Sequence, residues 1–215
     1  MKDLIKCSKC GSYYDPRKNC KTCIRKKLWD EDIFPNRVLP LFPTRIQKGL
    51  LNFKFPNAVI LTGCIYMYGP VSVGKTMLAC ASLVKTMEQN YLYGNWFGRE
   101  GAFVNVPNLL QELRNSFATK SFGTTEQLIE KYKNVPFLVL DDVAVQSDTD
   151  WAYMVLYQII DYRYNEYKTT AFISNVALEN LMTQMKDQRI PSRIMNMVNE
   201  GLGVMDMTNY IPKKR

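Results

Sequence analysis

Gly69-Pro70-Val71-Ser72-Val73-Gly74-Lys75-Thr76 fits the pattern GxxxxGK[ST] and lies between an apolar run, Cys64 to Tyr68, and a helical one, Met77 to Met87. Strand before and helix after are the setting in which this pattern does chemistry. The loop's backbone N–H groups, continued by the helix N-terminus through Met77, cradle phosphate oxygens. Lys75 then reaches the β and γ phosphates and Thr76 offers its hydroxyl to Mg2+, so ATP with Mg2+ is the expected cofactor. A second run, Phe137-Leu-Val-Leu140, is apolar enough for a buried strand and ends in Asp141 and Asp142. Asp141 is expected to hold Mg2+ through its water shell, and Asp142 to orient and polarise an attacking water. Aspartate is one methylene shorter than the glutamate more often found there, which predicts slow hydrolysis or a small strand shift. The alternative for Asp142 is a solvated charge at a strand end. A third strand, Thr170 to Ser174, ends at Asn175. In a parallel sheet whose tips converge on the γ phosphate, that amide takes the sensor-1 position; alone, Ser174-Asn175 reads as a turn.

Cys7-x2-Cys10 and Cys20-x2-Cys23 form two pairs separated by nine residues. The spacing lets two tight turns close on one tetrahedral zinc, with Gly11 where a knuckle turn favours glycine. A disulfide-linked or unstructured basic tail is the alternative. The chain contains no histidine, which removes Ser-His-Asp and Cys-His catalysis, HExxH metalloproteases and every Cys/His zinc pattern. In the first 27 residues nine basic side chains face only Asp3 and Asp15, a net +7, and Lys213, Lys214 and Arg215 add +3 within an overall +8. Basic character therefore sits at the two ends, where it meets nucleic acid or an acidic partner surface, or serves solubility alone. Four thiolates on zinc would reduce the N-terminal charge to about +5.

The elements that must position these residues follow from the spacing of apolar side chains. Leu28 to Asn57 carries Pro35, Pro40, Pro43 and Pro56 and reads as a linker followed by a short helix, Arg45 to Leu51. Beyond it, strand-like runs alternate with helical ones: Val59 to Tyr68, Thr76 to Tyr91, Gly101 to Val106, Pro107 to Phe117, Thr125 to Tyr132, Phe137 to Leu140, Trp151 to Tyr164 and Thr170 to Ser174. Such alternation predicts an α/β fold, a parallel sheet with helices on both faces. The expected division is a zinc-binding, partner-docking module with linker over 1–35 and an ATPase domain over 36–215. No apolar run approaches the roughly 20 residues that cross a bilayer, and Met1 to Lys27 lacks the apolar core of a secretory signal, so a cytoplasmic protein is expected.

In order, the phosphate loop, Leu109-Leu-Gln-Glu-Leu-Arg-Asn-Ser-Phe117, Gln127-Leu-Ile, Asn134-Val-Pro-Phe-Leu-Val-Leu-Asp-Asp142, Tyr157-Gln-Ile-Ile-Asp-Tyr-Arg163, Ser174-Asn175 and Arg189-Ile-Pro-Ser-Arg193 resemble the DnaC/DnaI-type replicative helicase loaders of bacteria and phages, which are AAA+ P-loop ATPases. The resemblance covers about residues 60–210 and extends to the IstB-type transposon helper ATPases, which share this core. It implies an ATP-dependent loader that binds a DnaB-type ring helicase and places it on single-stranded DNA, or alternatively a transposition helper acting on duplex DNA. It also implies that Arg189 or Arg193 is an arginine finger acting across an ATP-dependent subunit interface, and that Phe117, Trp151 and Tyr153 lie where loaders contact single-stranded DNA. Two departures stand out. Where loaders carry a sensor-2 arginine the sequence has Tyr210-Ile211-Pro212 and then Lys213, and the N-terminal module is smaller than the helicase-grasping domain of the best-known loaders.

Overall fold

Successive residues of each central strand face opposite cores, and that period of two organises the molecule. The computed structural model describes residues 4–16, 18–53, 60–95, 101–118, 122–144, 150–185 and 187–209. Five parallel strands, β3 (Ile65–Tyr68), β4 (Gly101–Asn105), β5 (Phe137–Asp141), β6 (Thr170–Ser174) and β7 (Gly203–Asp206), form one sheet in the order β4-β5-β6-β3-β7. Tyr66, Leu138, Leu140 and Phe172 enter one core, which they share with α4 (Val106–Ala118), α5 (Phe122–Asn134), α6 (Asp150–Asn165), α7 (Leu178–Gln184) and α8 (Arg189–Asn199). Ile65, Met67, Val139, Ala171 and Ile173 enter the other, against α3 (Lys75–Tyr93). Both faces of the sheet are thus covered, as the apolar strand runs require.

The N-terminal segment is a two-stranded antiparallel hairpin, β1 (Ile5–Lys6) and β2 (Tyr13–Tyr14), followed by α1 (Lys21–Leu28). The stretch that proline content reads as a linker is instead a chain of short helices. Wide helical turns over Trp29–Val38 run into a 3-10 turn, Leu39–Leu41, and then α2 (Thr44–Asn52). Pro40 stands at the start of the 3-10 turn and Pro43 at the N-cap of α2, so these prolines mark junctions between helices. Trp29, Ile33, Val38, Leu39 and Phe42 recur at near-helical spacing and are buried in the α3-side core. Burial of this stripe, rather than proline content, decides the conformation.

This N-terminal helical run docks on the far end of α3. Gly94 ends α3 in the left-handed region (φ +86°), and Arg25 Nη1 donates to Leu92 O at 2.9 Å, capping a terminal carbonyl. Lys26 pairs with Glu88 at 2.6 Å, and the Trp29 and Tyr91 rings lie 5.7 Å apart. No helix among the described residues is long and apolar enough to cross a membrane.

Candidate phosphate site and cysteine cluster

The strand order builds the phosphate site. β6 lies between β3 and β5, so the tip of β6 stands between the loop after β3 and the carboxylates after β5, the crevice in which open α/β sheets hold ligands. The loop is made by local backbone requirements. Gly69 adopts φ +147°, and a Cβ there would sit 3.0 Å from the Met207 carbonyl carbon; Gly74 adopts φ +97° just before α3 begins. Ser72 also sits at positive φ, a sparsely populated conformation for a side-chain-bearing residue.

Lys75, buried at the start of α3, donates to Gly69 O and Pro70 O at 2.7 Å each and to Asn175 Oδ1 at 2.9 Å. Burial lowers its pKa, opposed by the nearby Asp141 and Asp142 carboxylates. Thr76 Oγ1 donates to Asp141 Oδ1 at 3.1 Å. Asp141 is buried, and burial first, then the charge of Asp142, raises its pKa against the lowering effect of the Thr76 and Asn105 hydrogen bonds. A carboxylate held charged at such a place gains most from a cation, and with the Thr76 hydroxyl beside it the pair fits a Mg2+ seat. Lys75, Thr76, Asp141, Asp142 and Asn175, named from separate stretches of sequence, are therefore brought to one edge of the sheet.

Asn105 is the residue that sequence reasoning missed. It pairs in register with Asp141 at the end of β4, and its Nδ2 donates to Asp142 Oδ2 at 3.0 Å. Its Oδ1 accepts from Asn108 N at 3.3 Å, the bond of an N-cap at the head of α4. Asp142 itself lies at φ +58°, a left-handed conformation that aspartate tolerates better than most residues. An asparagine ahead of Val106-Pro107, where a strand turns into a helix, was the available signal.

Behind the site, the fully buried Arg163 closes the C-terminal end of α5. Its Nη1 donates to Tyr132 O, Lys133 O and Val135 O, its Nη2 to Pro136 O and Thr169 O, and its Nε to Thr170 Oγ1. Burial lowers the guanidinium to about 9, and the carbonyls of a helix end favour the charge that remains at neutral pH. The clamp fixes the entries of β5 and β6, whose other ends carry Asp141 and Asn175.

Arg189 and Arg193 lie one turn apart on α8, and their partners belong to α6 and the turn before α8. Arg189 pairs with Asp187 at 2.6 Å and lies 4.6 Å over the Tyr157 ring; Arg193 pairs with Asp161 at 2.7 Å and lies 4.7 Å over Tyr164. Tyr153 also packs under Arg189, and its hydroxyl donates to Asp187 O and accepts from Ile190 N, both at 3.3 Å. Trp151 lies on the outward side of α6, in an open groove of about 600 Å3 shared with Ile129, Met154, Tyr157 and Tyr162. Phe117 belongs to α4, but its side chain lies outside the described residues, as does Tyr210 to Lys213.

In the N-terminal segment the sulfurs of Cys7, Cys10, Cys20 and Cys23 all lie within 4.8 Å of one another, with Cys7–Cys23 at 3.7 Å and Cys10–Cys20 at 3.4 Å. Tetrahedral Zn–S bonds of about 2.3 Å place sulfurs about 3.8 Å apart, so the donor set fits zinc. The first turn is a knuckle: Gly11, at φ +73°, donates its N–H to Cys7 O at 2.9 Å, and Cys7 N donates to Ser12 O. Hydrogen bonds from Ser12 hold the Cys10 thiol down to about 6, while the crowding sulfurs of Cys10 and Cys7 push Cys23 up to about 12. Four sulfurs at this spacing lose their protons together only onto a cation. Cys64 and Cys80 are buried elsewhere in the sheet and α3.

The profile of the IstB-like ATP-binding proteins matches residues 51–209. The replicative helicase loader DnaI of Bacillus subtilis (strain 168) is 30% identical over 118 residues, 54% of this chain and 34% of DnaI. The replicative helicase loader DnaC of Escherichia coli (strain K12) is 26% identical over 98 residues, 45% of this chain and 39% of DnaC. The matched segment thus spans between a third and two-fifths of these relatives. Among solved structures, DnaI superposes with a TM-score of 0.52 at 24% identity, covering 79% of this chain and 80% of that one. AMPPCP-bound DnaA from Aquifex aeolicus gives 0.54 at 21% identity, covering 76% and 44%. These likenesses establish the AAA+ fold.

Proposed function

This chain belongs to the IstB-like ATP-binding family, and from that premise we propose that it is a helicase loader: an ATPase that binds a replicative ring helicase in the cytoplasm and places it on single-stranded DNA. The observation that carries the reading is the convergence of Lys75, Asn175, Thr76, Asp141 and Asp142 at one sheet edge, with Lys75 and Asn175 already 2.9 Å apart. Gly69 through Met77 bind the phosphates, and Lys75 and Asn175 grip the terminal one. Thr76 and Asp141 hold Mg2+, which supplies charge neutralisation on the phosphates. Asp142 orients the attacking water.

Arg189 or Arg193 completes the site of a neighbouring subunit. To do so it exchanges the carboxylate it holds in its own chain, Asp187 for Arg189 or Asp161 for Arg193, for the neighbour's phosphate, so ATP favours assembly and hydrolysis releases it. The cysteine module over 1–35 carries zinc and docks the helicase. On α1, Ile24 and Leu28 stand one turn apart and about half exposed, an apolar stripe suited to a protein partner. DNA lies along α4 at Phe117 and along α6 at Trp151, on its outward side, and at Tyr153, on the side that meets Arg189.

Co-expression with a replicative helicase tests the reading, with complexes sized by mass photometry with and without ATP and short single-stranded DNA. A stable complex that is lost in the Ile24→Asp, Leu28→Asp double variant is expected. The family match also favours a second reading, a transposition helper that coats duplex DNA. ATP-dependent filaments on duplex DNA, with no helicase complex, would establish that reading and overturn the first.

A further inference from the structure

The four cysteines leave the surface around them unexplained. Charge in the described N-terminal segment is sorted along the chain, paired from Arg25 onward and unpaired before it. Where the segment meets α3, Lys26 is neutralised by Asp30 and Glu88 and Arg25 caps the helix; on the exposed surface that follows, Lys27 pairs with Glu31 and Arg37 with Asp32. On the knuckle side, Lys6, Lys9, Lys18 and Lys21 are exposed, and among the described residues none of them forms an ion pair. Lys6 and Tyr13 are cross-strand partners in the hairpin, so their side chains share one face, and the Tyr13 ring is 69% exposed. An exposed ring beside exposed lysines, on a scaffold of two strands and a knuckle, offers a stacking surface within a positive field.

We propose that this hairpin face binds single-stranded nucleic acid, independently of nucleotide state and apart from any contact made by α4 and α6. Lysines with no carboxylate partner among the described residues can take phosphates with release of counterions and without breaking one of the described pairs. The Tyr13 ring accepts an unstacked base, which a duplex does not present. An acidic protein surface is the competing occupant. It is disfavoured because the apolar stripe suited to a protein, Ile24 and Leu28, lies on α1, whereas the hairpin pairs its ring with charge. The inference does not depend on the loader reading, since it requires neither a helicase nor ATP.

Fluorescence anisotropy of the zinc-loaded full chain, without nucleotide, on labelled oligo-dT and on a duplex of equal length over a salt series tests it. Tyr13→Ala should weaken oligo-dT binding at least about fivefold, and Tyr13→Phe should retain it. Lys6→Gln with Lys9→Gln should reduce the slope of log affinity against log salt by about 1.4. Both variants should keep wild-type zinc content and melting temperature, because the substituted side chains are exposed. Equal affinity for duplex and single strand, or variants that bind as the wild type does, would overturn the proposal. Variants that keep oligonucleotide affinity but lose the helicase complex would instead assign the face to a protein partner.

Discussion

Asn105 Nδ2 donates to Asp142 Oδ2 across 3.0 Å, tying the end of one strand to the carboxylate that follows its neighbour. The same side chain caps α4, so helix and carboxylate are set by one amide. Asn105→Asp keeps a cap acceptor but loses the donor and adds a like charge beside Asp142. Turnover should fall by about tenfold or more, short of the roughly 10²-fold or greater loss on Asp142→Ala, while nucleotide affinity stays near wild type. Phosphate release and fluorescent-nucleotide titration separate the two quantities. Unchanged turnover would remove Asn105 from the site.

Asp141 is a carboxylate whose folded pKa is raised, by burial and by Asp142, above the ordinary 3.8. The folded state therefore binds its proton more tightly than the unfolded one. Stability from this group is greatest below the unfolded value, falls as pH rises through the raised folded value, and stays reduced above it. Asp141→Asn should accordingly raise the melting temperature of the nucleotide-free protein at neutral pH, with an advantage that vanishes near pH 3, while Mg2+-dependent turnover is lost. Calorimetry across pH measures the gap; a variant less stable than wild type at pH 7 contradicts the assignment.

Arg25, Lys26 and Trp29 join the cysteine module to the end of the helix that begins at Lys75. Chelation of zinc should therefore lower the melting temperature of the whole chain as one transition instead of melting a separate module. Trp29→Ala should cost about 3–5 kcal/mol, since the ring is nearly fully buried. Two independent transitions, with the larger unmoved by chelator, would show that the docking carries no energy.

Arg189 and Arg193 each hold a carboxylate within their own chain, so release toward a neighbour is testable by mixing. Lys75→Ala removes phosphate binding but leaves both arginines; Arg193→Ala or Arg189→Ala does the reverse. Lys75→Ala and the variant of the essential arginine should each lose most turnover alone, and their mixture should recover part of it if that arginine acts in trans. Full turnover of both arginine variants alone would rule out that role.

That the loop from Gly69 to Thr76, the Asp141-Asp142 pair and Asn175 would converge, and that the four cysteines would cluster, was legible because the proposed chemistry depends on spacing along the chain. A phosphate cradle needs glycines at fixed offsets, and a tetrahedral metal needs two short cysteine turns. The parallel sheet followed from strand runs apolar on both faces. β7 was not legible: Gly203–Asp206 is short and alternately exposed, and pairs only because β3 presents an edge.

What the sequence determined by itself is local: which residues are candidates for phosphate and for metal, and where strands alternate with helices. Only the tertiary structure decided which of those residues meet. Asn105 touches Asp142 because β4 is the neighbour of β5, and Asn175 reaches Lys75 because β6 is inserted between β5 and β3. Arg163 is buried although it is charged, because two backbone segments, residues 132–136 and Thr169, converge on it with carbonyls that need a donor. Proline from Leu28 to Asn57 suggested a linker before the short helix, yet helices formed there because Trp29, Ile33 and Phe42 found a core to fill. Strand order and burial are sums over contacts distant in sequence, and no local pattern encodes them.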